Sequence, residues 1–188
     1  MKNFLYIVAL LSASTSYSSQ KIYSPCAVAF SSGYVFKNSD CIFKEVYGRG
    51  ITNIITGDVC YYPGRFFGIG SKVSYWRATG KTTFLKRDST VQEVPLTFYA
   101  RLRKPFNCGL QLYSSLGGGA VFIHEKSYLG SVQKNRGIGE VEAGMLCPLW
   151  RCVDLTTAFR YLFPSQQSDS TKVTIGGFDL RAGIAFEF

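Results

Sequence analysis

The sequence is poor in charge, in histidine and in helix. Charged residues fill only 18% of its 188 positions, against roughly 25% in an ordinary soluble domain. A single histidine, His124, and the lack of any CxxC pair argue against a zinc centre. We expect no metal and no cofactor. No run after Leu11 approaches the roughly 20 apolar residues of a membrane helix. Almost no stretch repeats with a helical period. The glycine-rich segments GIGS at 68–71 and GGG at 117–119 lack the strand–turn–helix setting of a phosphate loop. They read instead as strand glycines that allow close packing of large side chains. Lysine and arginine are scattered between apolar runs, not clustered on one face, which argues against nucleic acid.

What the chain does have is grease, aromatics and positive charge. It is 46% hydrophobic and 15% aromatic, with a formal net charge of +9. Residues 1–18 read as a secretory signal peptide: Lys2, an apolar core from Phe4 to Leu11, then small residues. We place the cut after about Ser18, with Ala13 to Thr15 as a competing site. Residues 19–188 then form one domain, as the length suggests.

That domain reads as strands. They are expected near 27–36, 50–61, 66–77, 91–103, 108–123, 137–147, 152–162 and 172–188. Short connections fall at 63–64, 104–107 and 148–151. Long ones fall at 37–49, 78–90, 124–136 and 163–171. Eight strands in this short–long rhythm make an antiparallel up-and-down meander. Within them, apolar and polar residues alternate. Val153, Leu155, Thr157, Phe159 and Tyr161 oppose Asp154, Thr156, Ala158 and Arg160. Val94, Leu96, Phe98, Ala100 and Leu102 oppose Glu93, Thr97, Tyr99, Arg101 and Arg103.

A soluble sheet would turn the greasy face inward, and a membrane barrel would turn it toward lipid. Three features favour the membrane. No helix or separate sheet exists to cover a greasy face. Aromatics collect near both strand ends, Tyr61, Tyr62, Phe66, Phe106, Trp150 and Phe188 at one and Tyr34, Tyr75, Trp76, Phe122 and Phe163 at the other. The leader sends the chain out of the cytoplasm.

The fifth-strand segment PFNCGLQLYSSLGGGAVF carries a likeness, as does the terminal block VDLTTAFRYLF…TKVTIGGFDLRAGIAFEF. With them the chain resembles the small eight-stranded outer-membrane β-barrels, the OmpA/OmpX-like group. The resemblance implies an all-β, eight-stranded, antiparallel transmembrane barrel in a bacterial outer membrane. It also implies that Phe188, with Phe186 and Ile184 on its face, is read by the barrel-assembly machinery. The likeness speaks to fold and location far more than to activity.

Such a barrel is just wide enough for side chains to fill it. Asp58, Lys72, Glu93, Arg101, Arg103, Glu140, Glu142, Asp154, Arg160, Asp179 and Arg181 are the expected interior polar network. A polar plug is the favoured reading and a narrow ion or solute channel the alternative. His124 with Glu125 and Ser127 raises a lipid-modifying hydrolase, but adjacent strand residues face opposite sides. No catalytic residue is therefore assigned. Cys26, Cys60, Cys108, Cys147 and Cys152 lie at the short-turn end and Cys41 in the first long loop. An exported chain with an even cysteine count makes the five turn-end residues candidate disulfide cysteines, within the chain or to disulfide-linked envelope partners. The long loops are basic, which suggests contact with lipopolysaccharide phosphates or an anionic host surface. The expected role is structural or surface-interacting. A secreted soluble barrel that binds a small apolar ligand is a further alternative.

If the terminal aromatic is an assembly signal, Phe188→Ala should lower outer-membrane yield in cells. Its burial at a barrel rim is worth at most about 1.5–3 kcal/mol. The refolded variant should therefore melt close to the parent, and normal cellular insertion would refute the assembly role.

Overall fold

The computed structural model describes residues 24–37, 51–81, 87–128, 130–164 and 176–188. The expected signal peptide, residues 1–18, and Cys41 lie outside them. Eight strands follow one another: β1 (Cys26–Lys37), β2 (Ile51–Tyr61), β3 (Phe67–Lys81), β4 (Asp88–Pro105), β5 (Gln111–Ser127), β6 (Gly130–Trp150), β7 (Val153–Pro164) and β8 (Gly177–Glu187). Each pairs antiparallel with its sequence neighbours, and β8 returns to pair with β1. The closing seam continues past the strand end. Phe188 N donates to Cys26 O at 2.8 Å, and Cys26 N donates back to Phe188 O at 3.2 Å. Closure leaves no open sheet edge, the condition for a sheet to cross hydrocarbon.

Strand parity is as the alternation predicts. Phe98, Leu102, Leu116, Val141, Phe159, Leu180 and Ile184 face outward and are exposed. Thr97, Arg101, Ser115, Glu140, Glu142, Arg160 and Asp179 face inward and are buried. Glycines on the inner face make room for tyrosines. A Cβ on Gly144 would stand 2.5 Å from Tyr113 Cζ, and one on Gly70 would stand 2.6 Å from Tyr99 Cζ.

Strand bounds differ from expectation on one side of the barrel. Residues 124–136 are not a long loop. β5 runs to Ser127 and β6 restarts at Gly130, whose φ of +131° helps the chain reverse tightly. Backbone pairing extends as far as Ser127↔Gly130. Likewise β3 reaches Lys81 and β4 begins at Asp88, well inside the expected 78–90 loop. At the opposite end β5 starts three residues late, because Phe106 to Leu110 form a turn closed by Phe106 N donating to Leu110 O at 2.8 Å. Strand β8 begins at Gly177, and residues 172–175 fall outside the described range.

Two aromatic assignments are corrected. Tyr62 and Trp76 are 1% and 2% exposed, so they fill the lumen and are not part of an outer girdle. Tyr61, Phe66, Phe106, Trp150 and Phe188 remain exposed at the turn end, and Tyr34, Tyr75, Phe122 and Phe163 toward the other.

An exposed apolar belt in lipid has a direct test. Ile184→Arg should cost about 2–4 kcal/mol if the site lies near a bilayer midplane. Denaturant unfolding of protein refolded in phospholipid vesicles measures this, and a neutral effect would place the outer face in water.

Candidate functional site

The lumen holds a closed ring of alternating charge. Lys72 on β3 donates to Glu140 Oε1 at 3.0 Å and to Glu142 Oε2 at 2.7 Å, both on β6. Glu140 Oε2 pairs with Arg160 of β7 at 3.5 Å and accepts from Thr97 Oγ1 at 3.0 Å. Arg160 Nε meets Asp179 Oδ2 of β8 at 2.7 Å. Asp179 Oδ1 meets Arg181 Nε at 2.6 Å, and Arg181 returns to Glu142. Three cations and three carboxylates thus close a circuit in which every ion has opposite charge on both sides. Their side chains are at most 2% exposed. Buried ions are tolerated only when paired with opposite charge; the Asp179–Arg181 contact is ionic, its Oδ1 and Nε standing outside hydrogen-bond geometry.

A branch runs from the ring toward the short turns. Arg101 reaches Glu142 at 3.4 Å and Asp58 at 2.6 Å, and Tyr99 donates to the same Asp58 carboxylate. Its guanidinium sits 4.3 Å from the Tyr113 ring centroid and 4.7 Å from that of Tyr99, within cation–π range. Lower still, Arg103 pairs with Glu187 at 3.4 Å and stacks 3.7 Å over the Tyr62 ring. Burial pushes the Tyr62 phenol above its usual range. Glu93 and Asp154 are buried at other levels. Glu93 lies opposite Trp76 and Ile123, and Asp154 opposite Pro148 and Ala185.

The charged ring is capped by an apolar layer that the sequence reading missed. Val35, Ile54, Trp76, Val91, Val121, Ile123, Ile138 and Leu162 pack together inside the barrel. On β3, Trp76 lies four residues from Lys72 toward the loop end, and on β7 Leu162 lies two beyond Arg160. Strict parity, extended past the charged stretches, would have placed these residues inside. Their greasy character masked it. On the turn side, Tyr113, Leu146, Ala158 and Ala185 pack together, as do Ala27, Cys60, Tyr62 and Tyr99.

On the outer face, strand register lines up a second arrangement. Arg77, Gln92, His124 and Gln133 are successive partners across β3, β4, β5 and β6. Two residues farther from the belt run Thr79, Thr90, Lys126 and Ser131, then Lys81 opposite Asp88. Two residues nearer the belt lie Tyr75, Val94 and Phe122. The surface therefore changes from apolar to polar and basic within one row. Arg136 and Lys134 take the inner face of the β5–β6 hairpin, opposite Val121 and Ile123. Glu125, opposite Val91 and Val132, also takes that inner face, away from His124. Among the described residues no group of three potential ligands is placed to hold a metal.

Cys26, Cys60, Cys108, Cys147 and Cys152 are all free thiols. Cys60 points into the lumen while Cys26, opposite Tyr61, faces out. Cys147 lies opposite Leu155, three residues along β7 from Cys152. The irregularity between Pro148 and Trp150 does not bring that pair together.

Comparison with solved structures decides the fold class. Neisserial surface protein A superposes with a TM-score of 0.65 at 13% identity, over 88% of this chain and 98% of that one. This is the small eight-stranded outer-membrane β-barrel fold. OprG of Pseudomonas aeruginosa matches the barrel with a TM-score of 0.64 at 12% identity, over 90% and 99% of the two chains. Ail, the attachment invasion locus protein of Yersinia pestis, was solved in complex with the heparin analogue sucrose octasulfate. It matches at 0.52 and 16% identity, over 87% and 97%. No family model and no curated protein matches the chain.

Glu142 is the hub of the ring and its branch, in contact with Lys72, Arg101 and Arg181. Glu142→Ala would leave three buried cations facing one another. The expected loss is about 3–5 kcal/mol of unfolding free energy, read by denaturant titration in lipid. A loss under about 1 kcal/mol would show that water can replace the carboxylate.

Proposed function

We propose that the protein is a closed outer-membrane barrel whose basic loop-end rim holds anionic groups at the membrane surface. In this reading residues 1–18 are removed on export and residues 19–188 form the barrel. The assembly machinery reads Phe188, Phe186 and Ile184. The observation that carries the proposal is the abrupt change above the apolar belt to a row with Arg77 and His124, then one with Lys126, with Lys81 beyond. Side chains at that level meet headgroups, where phosphates lie.

Charge distribution supports the same reading. The chain has 21 basic and 12 acidic residues. Five of the basic and seven of the acidic ones, counting half-buried Asp58, lie in the described lumen. With Lys2 removed in the leader, the rest carries 15 basic against five acidic residues, a formal +10. Positive surface of this kind draws phosphate or sulfate groups. Lipopolysaccharide in the outer leaflet is the nearest source, and a sulfated host surface is the other. The complex of Ail with sucrose octasulfate shows a barrel of this fold holding sulfates.

The channel alternative is disfavoured by the lumen. The charged ring is neutral and internally paired, and the apolar layer around Trp76 lies across its loop side. Hydrophobic constrictions exclude water and ions.

Two measurements test the proposal. Protein refolded into neutral phospholipid vesicles should bind soluble sucrose octasulfate, more weakly as salt rises. Replacing both Arg77 and Lys126 by glutamine should weaken binding about 30-fold, at about 1 kcal/mol per charge. Equal affinity in the double variant would overturn the role of the rim. In planar bilayers the parent should show little or no steady conductance, and large uniform steps would overturn the closed lumen.

A further inference from the structure

Strand register sorts the turn-end cysteines into those that can meet and those that cannot. A disulfide needs Cα atoms within about 7 Å and side chains on a common side. Cys26 and Cys60 fail on side, as described above. Cys26 is bonded to Phe188 on one flank of β8. Cys152 accepts from Glu187 N at 3.0 Å on the other. The two are thus separated by the full width of β8, about 9.6 Å at two sheet spacings. Cys147 and Cys152 are held apart by three residues of strand, about 10 Å.

Cys108 and Cys147 differ. Cys108 sits in the β4–β5 turn beside Gly109, whose φ of +83° bends the chain. That bend brings the turn onto β6. A Cβ on Gly109 would stand 2.9 Å from the ring of Pro148, the residue that follows Cys147. Cys108 and Cys147 are each the chain neighbour of a residue in that contact, and Cys147, opposite the exposed Leu155, faces outward. The thiols are near enough to feel each other's charge. Cys108 is exposed and Cys147 is half-buried, so an oxidant in solution reaches Cys108 first.

We infer that Cys108 and Cys147 form a redox-active pair that oxidises to an intramolecular disulfide, tying the β4–β5 turn to the base of β6. The co-reactant is a disulfide oxidant. The Cys108 thiolate attacks one sulfur of the oxidant, forms a mixed disulfide and expels one thiolate. The Cys147 thiolate then attacks the Cys108 sulfur and expels the second. Two cysteine thiols lose two protons and two electrons, and the oxidant leaves as two thiols. The closed loop contains all of β5 and most of β6. The inference is independent of the anionic rim, which lies at the other end of the barrel.

The experiment uses the full chain refolded in detergent micelles and treated with oxidised glutathione. Remaining thiols are alkylated, and peptides are mapped without reduction. The expected product is a Cys108–Cys147-linked peptide pair that separates on reduction. It should persist in Cys26→Ser, Cys60→Ser and Cys152→Ser. In Cys147→Ser, Cys108 should instead retain glutathione. Heat-modifiable gel mobility confirms that each variant is folded, and the parent alone decides the pairing. A parent in which Cys108 keeps glutathione, stays alkylatable, or links to another cysteine or a second chain would overturn the inference.

Discussion

Inside hydrocarbon, a backbone amide finds its hydrogen-bond partner in the protein or goes without, at a cost of several kcal/mol. Sheet closure answers that demand, and most of the architecture follows from it. Once β8 pairs with β1, every strand has two neighbours and a fixed inside and outside. Side chains alternate between lipid and lumen with no freedom to choose. With only eight strands, the lumen has room for side chains and little else. Charges that parity sends inward must therefore find one another.

The ring of Lys72, Glu140, Arg160, Asp179, Arg181 and Glu142 is the result. Its members come from β3, β6, β7 and β8, so no single hairpin contains it. Register places Arg160 directly between Glu142 and Asp179. A one-residue slip in β7 would turn Arg160 toward lipid and bring Phe159 or Tyr161 inside. The network thus opposes wrong registers strongly, whatever its net contribution to stability. Buried ion pairs are a weak source of stability in general, and register is where this one has leverage.

Much of this was legible in the sequence. Alternation in the fourth, sixth and seventh strands, with Glu142, Arg101 and Arg160 on the non-greasy face, named the barrel and its lumen. Trp76 and Tyr62 misled, because an aromatic near a strand end serves equally as girdle or as filling. Only parity counted from Lys72 or Cys60 separates the two. The apolar layer was hidden for a related reason: Val35, Ile54 and Val121 look lipid-facing by type and face inward by position. Residues 124–136 read as a loop because they are polar. Above a membrane a hairpin can be polar on both faces, so the hydrophobic alternation that marks a strand vanishes while pairing continues. Ring closure was not legible at all, since it depends on which lumen residues come level once the sheet has sheared and closed.

The uneven strand lengths carry one more consequence. Strands β3 to β6 have 15, 18, 17 and 21 residues, while β1, β2, β7 and β8 have 11 or 12. Among the described residues the wall of paired strand is therefore taller on one flank than on the other. Its tall flank is also the flank that carries Arg77, His124 and Lys126. A symmetrical tube looks the same to neighbours from every compass direction in the plane of the membrane. This one has a bearing. A molecule that drifts toward the tall flank meets a wall of paired strand whose outer side carries charge beyond the apolar belt. Crowded side by side, such barrels would sort their neighbours by azimuth, without any change in the lumen.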